Sequence, residues 1–384
     1  MMLQKATAND SRAGSMAAQP ARGPAASLLP SFPIARLRFE AVAAQPYFTP
    51  SFAGSVLRGS FGHALRRLVC MTGQSDCAAC PLYRRCPYPE VFAPPPLTQP
   101  VRGRDLQQPP VPYVIEPPAI GRRWIEEGEV LRFHILLIGP AVARIPHVVE
   151  AMRRALAHGL GRGRTRFALQ QVWAAPLRPF EARRSGDPRA KTVGDTPPGS
   201  GETPSLPLFD FCDPEAETAP LEAAIVPPAA IARAFPGPMR GPSTDRKIAR
   251  IRIRHITPLR LQRAGDLLDH RRLRPRDLLI AIWRRWTFLE AAYGTPEQAD
   301  RPLADCLETA EQITARRDDL FWWDWTRRSS RQRRTMTIGG VRGSWTWEGK
   351  GLAELLPLLT LGAVLHVGKE TSFGFGRYRI ENAD

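Results

Sequence analysis

The chain has 384 residues, with 54 lysine and arginine residues against 37 aspartate and glutamate residues and a formal net charge of +17. This excess favours a polyanionic partner, with nucleic acid ahead of a membrane surface. The sequence has no run of about 18 apolar residues, the length that spans a bilayer, and its first residues lack the apolar core of a secretory signal. We therefore expect a cytoplasmic protein that does not enter a membrane.

The first half of the sequence predicts alternating strands and helices. Residues 34–43 predict a strand, and residues 52–71 predict a helix whose apolar residues recur at helical spacing. A buried strand over 129–138, a helix over 145–158 and a strand over 166–172 follow. Strand–helix–strand units with antiparallel insertions are typical of ferredoxin-like α+β domains.

The second half predicts a similar arrangement. Residues 248–256 alternate isoleucine with arginine, which indicates a strand with one apolar and one basic face. Residues 277–293 and 351–361 predict helices, and a glycine-rich loop over 368–376 leads into a last short strand. The predicted fold class is α+β, with tandem ferredoxin-like (RRM-like) domains.

Domain boundaries are predicted from changes in composition. Residues 1–30 predict a disordered tail, and residues 31–180 an amino-terminal ferredoxin-like domain with a cysteine knuckle inserted at 70–86. Residues 181–206 hold Gly, Pro, Ser, Thr and charge without a period, which predicts a flexible insertion. Residues 207–384 then form the carboxy-terminal ferredoxin-like domain.

The glycine-rich loop is the most informative segment. Gly368, Gly374 and Gly376 allow positive φ and close approach, and Lys369 and Arg377 add cationic groups. A loop of this kind suits a phosphate backbone, although a plain structural turn has the same composition.

Other basic residues also favour RNA binding. The tract 321–334 combines tryptophans, which we expect mostly in the core, with arginines that we expect mostly to face RNA. The predicted RNA-binding residues outside the glycine-rich loop are Arg67, Arg162, Arg164, Arg252, Arg254, Arg327, Arg328, Arg331, Arg333 and Arg334. The segment GLGRGR (159–164) follows a helix and precedes a strand, the reverse of the dinucleotide-binding order.

Four cysteines predict a metal knuckle. Cys70, Cys77, Cys80 and Cys86 lie close enough in sequence to surround one tetrahedral ion. Structural zinc is the first choice and an iron–sulfur cluster the second, since the spacing does not separate them. Disulfides and unliganded thiols are the alternatives, and the lack of a secretion signal disfavours disulfides.

The motifs together resemble the CRISPR-associated repeat-processing endoribonucleases of the RAMP superfamily, the sixth Cas family. The resemblance covers most of residues 34–381. It rests on LRGSFGHALRRLVC (57–70), GLGRGRTRF (159–167), HITPLRL (255–261), GGVRGSWTW (339–347) and LHVGKETSFGFGRYRI (365–380). It implies metal-independent cleavage of precursor CRISPR RNA beside its repeat hairpin, leaving a 2′,3′-cyclic phosphate and a 5′-OH.

Such cleavage needs a base for the 2′-OH, an acid for the leaving 5′-oxygen and a cation for the developing charge. His63 is the candidate base or acid because it points about 120° away from the apolar stripe of its helix, where the family carries its catalytic histidine. A solvated surface histidine is the alternative. Lys369 is the candidate cation, and Tyr47 either assists or packs, with packing favoured. We expect His366 to hydrogen-bond the backbone of the glycine-rich loop.

Two other functions stay open at this point. A non-catalytic RAMP subunit that binds guide RNA in a CRISPR effector complex would share the glycine-rich loop and the basic face. A nucleic-acid-binding protein centred on the metal knuckle would depend on its cysteines instead.

Overall fold

The computed structural model describes residues 29–97, 108–177, 180–181, 206–228, 231, 250–295, 303–329 and 334–383. The predicted tail (1–30) and insertion (181–206) lie almost entirely outside these residues, and so do Arg331 and Arg333.

The first lobe is built around strand β1 (Ile34–Ala43), whose inward side chains alternate with partly exposed ones. β1 pairs antiparallel with β5 (Val130–Ile138) and β6 (Phe167–Ala174), and β3 (Tyr113–Glu116) extends the sheet beyond β5. Helices α1 (Gly54–Val69) and α3 (Ile145–His158) contribute apolar side chains to the same core. This lobe also has a short two-stranded ribbon, formed by β2 (Tyr47–Phe48) and β4 (Trp124–Ile125). A short helix, α2 (Pro87–Phe92), completes it.

The second lobe repeats this order around β10 (Arg250–Leu259). β10 pairs antiparallel with β15 (Arg334–Glu348) and β16 (Tyr378–Asn382). Two strands, β13 (Thr314–Arg317) and β14 (Phe321–Ser329), both pair with β15. The remaining elements are β11 (Gln262–Arg263), β12 (Asp266–Leu267), α4 (Pro275–Tyr293), α5 (Ala304–Glu311) and α6 (Leu352–Leu365).

The predicted elements are largely confirmed, although the ends of most of them differ from the prediction by one to four residues. The strand over 34–43 and the helix over 145–158 have the predicted bounds. Helix α1 is shorter than predicted because Phe52 packs between the lobes and Cys70 is extended. Helix α6 runs past residue 361 to Leu365 because its last residues are buried.

Short strands cross between the two sheets. β7 (Phe180–Glu181) pairs parallel with β16 of the second lobe. The chain then returns, so that β8 (Phe209–Asp210) pairs with β6 and β9 (Ile225–Val226) pairs with β1 of the first lobe. The predicted carboxy-terminal domain, 207–384, therefore contains two strands that complete the amino-terminal sheet.

A small apolar core, here called the interlobe cluster, lies apart from the two main cores. Its buried members are Phe52, Trp325, Ile338, Phe373 and Phe375. Phe52 comes from the first lobe, whereas Phe373 and Phe375 come from the glycine-rich loop. Among the residues described, no helix is both long and apolar enough to cross a bilayer.

Candidate nucleic-acid interface

The glycine-rich loop (368–376) and the adjoining Arg377 lie where the two lobes meet. The ring centroids of Phe52 and Phe375 are 5.1 Å apart in an edge-to-face arrangement. The start of α1 also touches the loop, because a Cβ on Gly54 would collide with the carbonyl oxygen of Phe373. The guanidinium of Arg58 lies 4.9 Å from the centre of the Phe373 ring. The loop, which belongs to the second lobe, is thus held against the first lobe.

The glycines of this loop are required by packing inside the protein. Gly368, Gly374 and Gly376 have φ of 93°, 97° and 76°, a region that residues with a Cβ rarely adopt. A Cβ on Gly374 would collide with the carbonyl oxygen of Ile115, and one on Gly376 with the backbone of Val367. The structural reading of these glycines therefore holds, and contact with RNA stays a prediction.

A buried carboxylate joins the loop to the first lobe. Glu116, at the end of β3, accepts hydrogen bonds from Arg36 Nη2 at 2.7 Å and Arg36 Nε at 3.1 Å. From the second lobe, Arg377 Nη1 lies 3.3 Å from Glu116 Oε2, and His366 Nε2 lies 3.3 Å from Glu116 Oε1. The Glu116 and His366 side chains are 4% and 1% exposed. We call these four residues the interlobe ion network.

The charges of the interlobe ion network follow from burial and proximity. Burial alone would raise the pKa of Glu116, but the guanidiniums of Arg36 and Arg377 hold it well below its usual range. Burial lowers the pKa of His366, against the opposing effect of Glu116. His366 Nδ1 also lies 3.1 Å from the Phe375 carbonyl oxygen, which confirms the predicted contact with the loop backbone.

His63 lies on α1 with its side chain exposed, so the predicted outward orientation is confirmed. Arg67, one turn later, is also exposed. The distance from Gly54, which touches the glycine-rich loop, to His63 is roughly 13 Å along the helix axis. The catalytic role of His63 stays a prediction.

The two other candidate catalytic residues lie in different environments. Lys369 is exposed, and its backbone N–H donates to Arg260 O at 2.9 Å. Tyr47 is 7% exposed, packs edge-to-face on Phe167, and has its pKa raised by burial to about 12. Burial therefore favours packing over proton transfer for Tyr47.

The first glycine turn, Gly159–Arg164, presents its arginines to solvent. Arg162 and Arg164 are both exposed, and Arg164 has φ of 47°. Across the described part of the chain, no carboxylate lies within ion-pair distance of either guanidinium. These two cations are therefore available to a phosphate backbone.

The arginines of β10 face carboxylates instead. Arg252 Nε lies 3.5 Å from Asp318, and Arg254 Nη1 lies 3.9 Å from Glu381. Both arginine side chains keep substantial exposure, 41% and 57%. To bind RNA, these arginines would exchange their carboxylate partners for phosphates. The cost is small, because an exposed ion pair contributes little to the free energy of unfolding.

The tryptophan–arginine tract forms a hairpin of β14 and β15. Trp325 is buried in the interlobe cluster, and Trp322 and Trp323 are partly buried, in line with the predicted core role. Arg327, Arg328 and Arg334 lie on the hairpin strands near its tip. Their contact with RNA stays a prediction, as does that of Arg331 and Arg333.

The four cysteines converge on one cavity. Cys70, Cys77, Cys80 and Cys86 all line a space of about 240 Å³ beside the end of α1. Burial raises the pKa of the Cys77 thiol, Arg66 opposes this, and the other three cysteines add to it. Within the described residues, which include all four, no group of three or more His, Cys, Asp or Glu side chains is arranged to hold a metal ion. Soft thiol donors suit zinc or an iron–sulfur cluster, and both stay predictions.

Sequence reasoning missed Glu116 and Arg36. Glu116 ends a strand that is otherwise apolar and fully buried, and this is the only local signal. A buried charge needs partners, but Arg36 lies 80 residues and His366 250 residues away in sequence.

The fold is similar to that of two solved structures. The chain resembles one chain of a partial Cas6-RT-Cas1–Cas2 complex, with a TM-score of 0.51 and 17% identity over 93% of this chain and 47% of that chain. A chain of a Cas6-RT-Cas1–Cas2 complex gives the same TM-score and identity over 93% of this chain and 30% of that chain. At this identity the likeness defines the shared α+β fold alone.

A sequence relative and two family models match parts of the chain. An uncharacterized protein of Archaeoglobus fulgidus is 32% identical over 107 residues, which are 28% of this chain and 35% of that protein. The chain therefore spans about a third of this curated relative and less than half of the two structural neighbours. Residues 32–185 match a family of N-terminal domains, and residues 253–378 match the family CRISPR-associated endoribonuclease Cas6. Residues 253–378 are therefore similar to the CRISPR-associated Cas6 endoribonucleases, which confirms the resemblance seen in the sequence.

Proposed function

We propose that this protein is an endoribonuclease of CRISPR RNA maturation, which binds the repeat hairpin of precursor CRISPR RNA in the cytoplasm and cuts beside it. The observation that carries the proposal is the match of residues 253–378 to the Cas6 endoribonuclease family. That range contains the glycine-rich loop, Lys369 and the hairpin of β14 and β15. The net charge of +17 and the exposed arginines of the first glycine turn support binding of a polyanion.

The proposed reaction uses side chains of the protein alone. A base removes the proton of the 2′-OH, and the 2′-oxygen bonds to phosphorus as the bond from phosphorus to the 5′-oxygen breaks. An acid protonates the leaving 5′-oxygen, so the products are a 2′,3′-cyclic phosphate and a 5′-OH. His63 carries out one of the two proton transfers, and Lys369 stabilises the charge that develops on phosphate oxygens.

The test uses purified full-length protein, a repeat transcript and excess EDTA. The wild type is expected to release a product ending in a 2′,3′-cyclic phosphate. H63A is expected to slow cleavage by roughly 10²- to 10⁴-fold with unchanged RNA affinity, whereas H158A, at an exposed histidine of α3, serves as the matched control. Full activity of H63A would remove this residue from the mechanism, and absence of hairpin binding at low salt would end the proposal.

A second candidate function is RNA binding without cleavage, as a non-catalytic RAMP subunit of an effector complex. The loop contacts α1 at Gly54 and Arg58, and His63 lies a further five residues along the helix, roughly 8 Å beyond Arg58. This separation favours the second candidate. The same EDTA assay decides, because this candidate predicts tight hairpin binding and no cyclic-phosphate product.

We also propose that Cys70, Cys77, Cys80 and Cys86 hold structural zinc, with an iron–sulfur cluster as the second choice. Their shared cavity supports this, and its lining also includes Arg66 and Arg85. Elemental analysis of the purified protein is expected to find one zinc per chain, lost in C77S/C80S. If this variant instead lost RNA binding while its near-ultraviolet spectrum persisted, the cysteine knuckle would be the nucleic-acid-binding centre.

We further propose that both lobes are ferredoxin-like and that other Cas proteins are partners. The strand orders β3–β5–β1–β6 and β13–β15–β10–β16 support the first point, since each lobe runs strand, helix, strand, strand, helix, strand. The two structural neighbours are chains of Cas6-RT-Cas1–Cas2 complexes, which supports the second point. Co-elution with Cas1 and Cas2 on gel filtration tests it.

A further inference from the structure

Two exposed aromatic rings form a touching pair on the surface of the first lobe. Phe48 and Trp124 are 47% and 58% exposed. They are directly opposite each other in the ribbon of β2 and β4, with ring centroids 5.1 Å apart and planes tilted by 45°. Their ribbon neighbours Tyr47 and Ile125 point the other way and are buried. Large exposed apolar side chains placed side by side usually mark an interaction site.

The ribbon under these rings is braced, so the pair is preformed. Thr49 N–H donates to Arg123 O at 2.9 Å, and Arg123 N–H donates back to Thr49 Oγ1 at 3.0 Å. Gly121 N–H donates to Ser51 O at 3.1 Å, which prolongs the pairing. A rigid aromatic surface loses little conformational freedom when a flat ligand stacks on it.

The surroundings connect the pair to the proposed RNA-binding surface. The first glycine turn is adjacent, because a Cβ on Gly161 would lie 3.6 Å from the Tyr47 ring, and it carries the exposed Arg162 and Arg164. In the other direction the chain runs from Phe48 to Phe52, which packs on the glycine-rich loop. The ribbon that carries the pair therefore contacts one basic glycine segment through Tyr47 and is joined through Phe52 to the other.

We propose that Phe48 and Trp124 form a stacking platform for an unpaired base of single-stranded RNA that flanks the repeat hairpin. Every base has a π-face, so such stacking tolerates any sequence. The exposed Glu126 and Glu127 follow Trp124 and make the local charge mixed, so the ring faces rather than ion pairs supply the affinity. The proposal rests on the proposed RNA binding and adds a site for the unpaired flank.

The test compares wild type, F48A/W124A and W124F on three RNAs: the hairpin alone, the hairpin with unpaired flanks, and the same flanked RNA with abasic flank nucleotides. The double variant is expected to bind the flanked RNA roughly 5- to 150-fold more weakly, the range for loss of one stacked base. Its affinity for the hairpin alone and for the abasic RNA is expected to equal that of wild type. W124F, which keeps an aromatic ring at this position, is expected to retain most of the affinity of wild type. F211A removes another exposed ring and is expected to have no effect.

The two proposals fail in distinguishable ways. Equal binding of flanked RNA by wild type and F48A/W124A would overturn the platform while leaving hairpin recognition intact. If wild type does not bind the hairpin, the proposed function fails, and an unstructured oligoadenylate then replaces the flanked RNA. A loss of oligoadenylate affinity in the double variant would still support the platform, and no difference, or no binding by wild type, would overturn it.

Discussion

The two glycine segments look alike in sequence but differ in the structure. The first glycine turn exposes Arg162 and Arg164, and a Cβ on Gly163 would meet nothing closer than Thr165 Oγ1 at 3.9 Å. In the glycine-rich loop, by contrast, Arg377 contacts a buried carboxylate and Gly376 is enclosed by backbone. Segments that combine glycine and arginine thus have two structural roles here: one is an open basic surface, and the other is a tightly packed contact between the lobes.

The largest loss of stability is expected when the buried carboxylate of the interlobe ion network is removed. E116A leaves Arg36 and Arg377 without their carboxylate, and removal of one partner from a buried ionic network costs about 3–5 kcal/mol. Chemical denaturation measures the free energy of unfolding. The control is E129Q, which removes an exposed pair with Arg123 and is expected to cost at most about 1 kcal/mol. Equal losses in the two variants would contradict the assignment.

Alanine substitution of one glycine in each segment tests the same difference in packing. G376A introduces a Cβ against the backbone of Val367 at φ of 76°, so we expect a loss of roughly 3 kcal/mol. G163A, in the open turn, is expected to change the free energy of unfolding by less than about 0.5 kcal/mol. A stable G376A protein would show that the loop is looser than its packing indicates.

The stability of the folded protein is also expected to be sensitive to acid. Burial lowers the pKa of His134 and His366, and that of His255 to about 3, so the folded state leaves these rings neutral where the unfolded chain binds protons. Stability is therefore complete above a pH of about 6.5 and falls below it, by up to about 1.4 kcal/mol per pH unit for each histidine.

Denaturation between pH 7 and pH 4 measures this slope. H366N is expected to reduce this slope, by up to about 1.4 kcal/mol per pH unit. F133L, which weakens the first core without removing a titratable group, is expected to lower stability and keep the slope. An unchanged slope in H366N would mean that His366 is protonated in the folded protein.

The smallest change in stability is expected for substitutions in the exposed first glycine turn. R162A/R164A is expected to leave the free energy of unfolding unchanged within about 0.5 kcal/mol. If both arginines contact phosphates, the slope of log affinity against log salt falls by about 1.4–1.8 in total. A salt titration of RNA binding gives this slope, with R153A as the control because Arg153 already pairs with Glu150. A slope equal to that of wild type would place these arginines outside the RNA-binding surface.

Periodicity is the reason that most elements could be predicted. The alternation in β1 and the helical spacing of Leu57, Phe61 and Leu65 report local geometry, and the structure buries those side chains. The outward orientation of His63 followed from the same spacing. Partners across the fold could not be predicted, because nothing local links Glu116 to His366 or Arg252 to Asp318.

The crossing of the short strands has a consequence for how the polypeptide withstands cleavage. Phe180–Glu181 is held by the second sheet, whereas Phe209–Asp210 and Ile225–Val226 are held by the first. After a protease cut between residues 181 and 206, the first fragment would still pair with the second lobe through β7, and the second fragment would still pair with the first lobe through β8 and β9. The two fragments should therefore stay together until the sheets unfold.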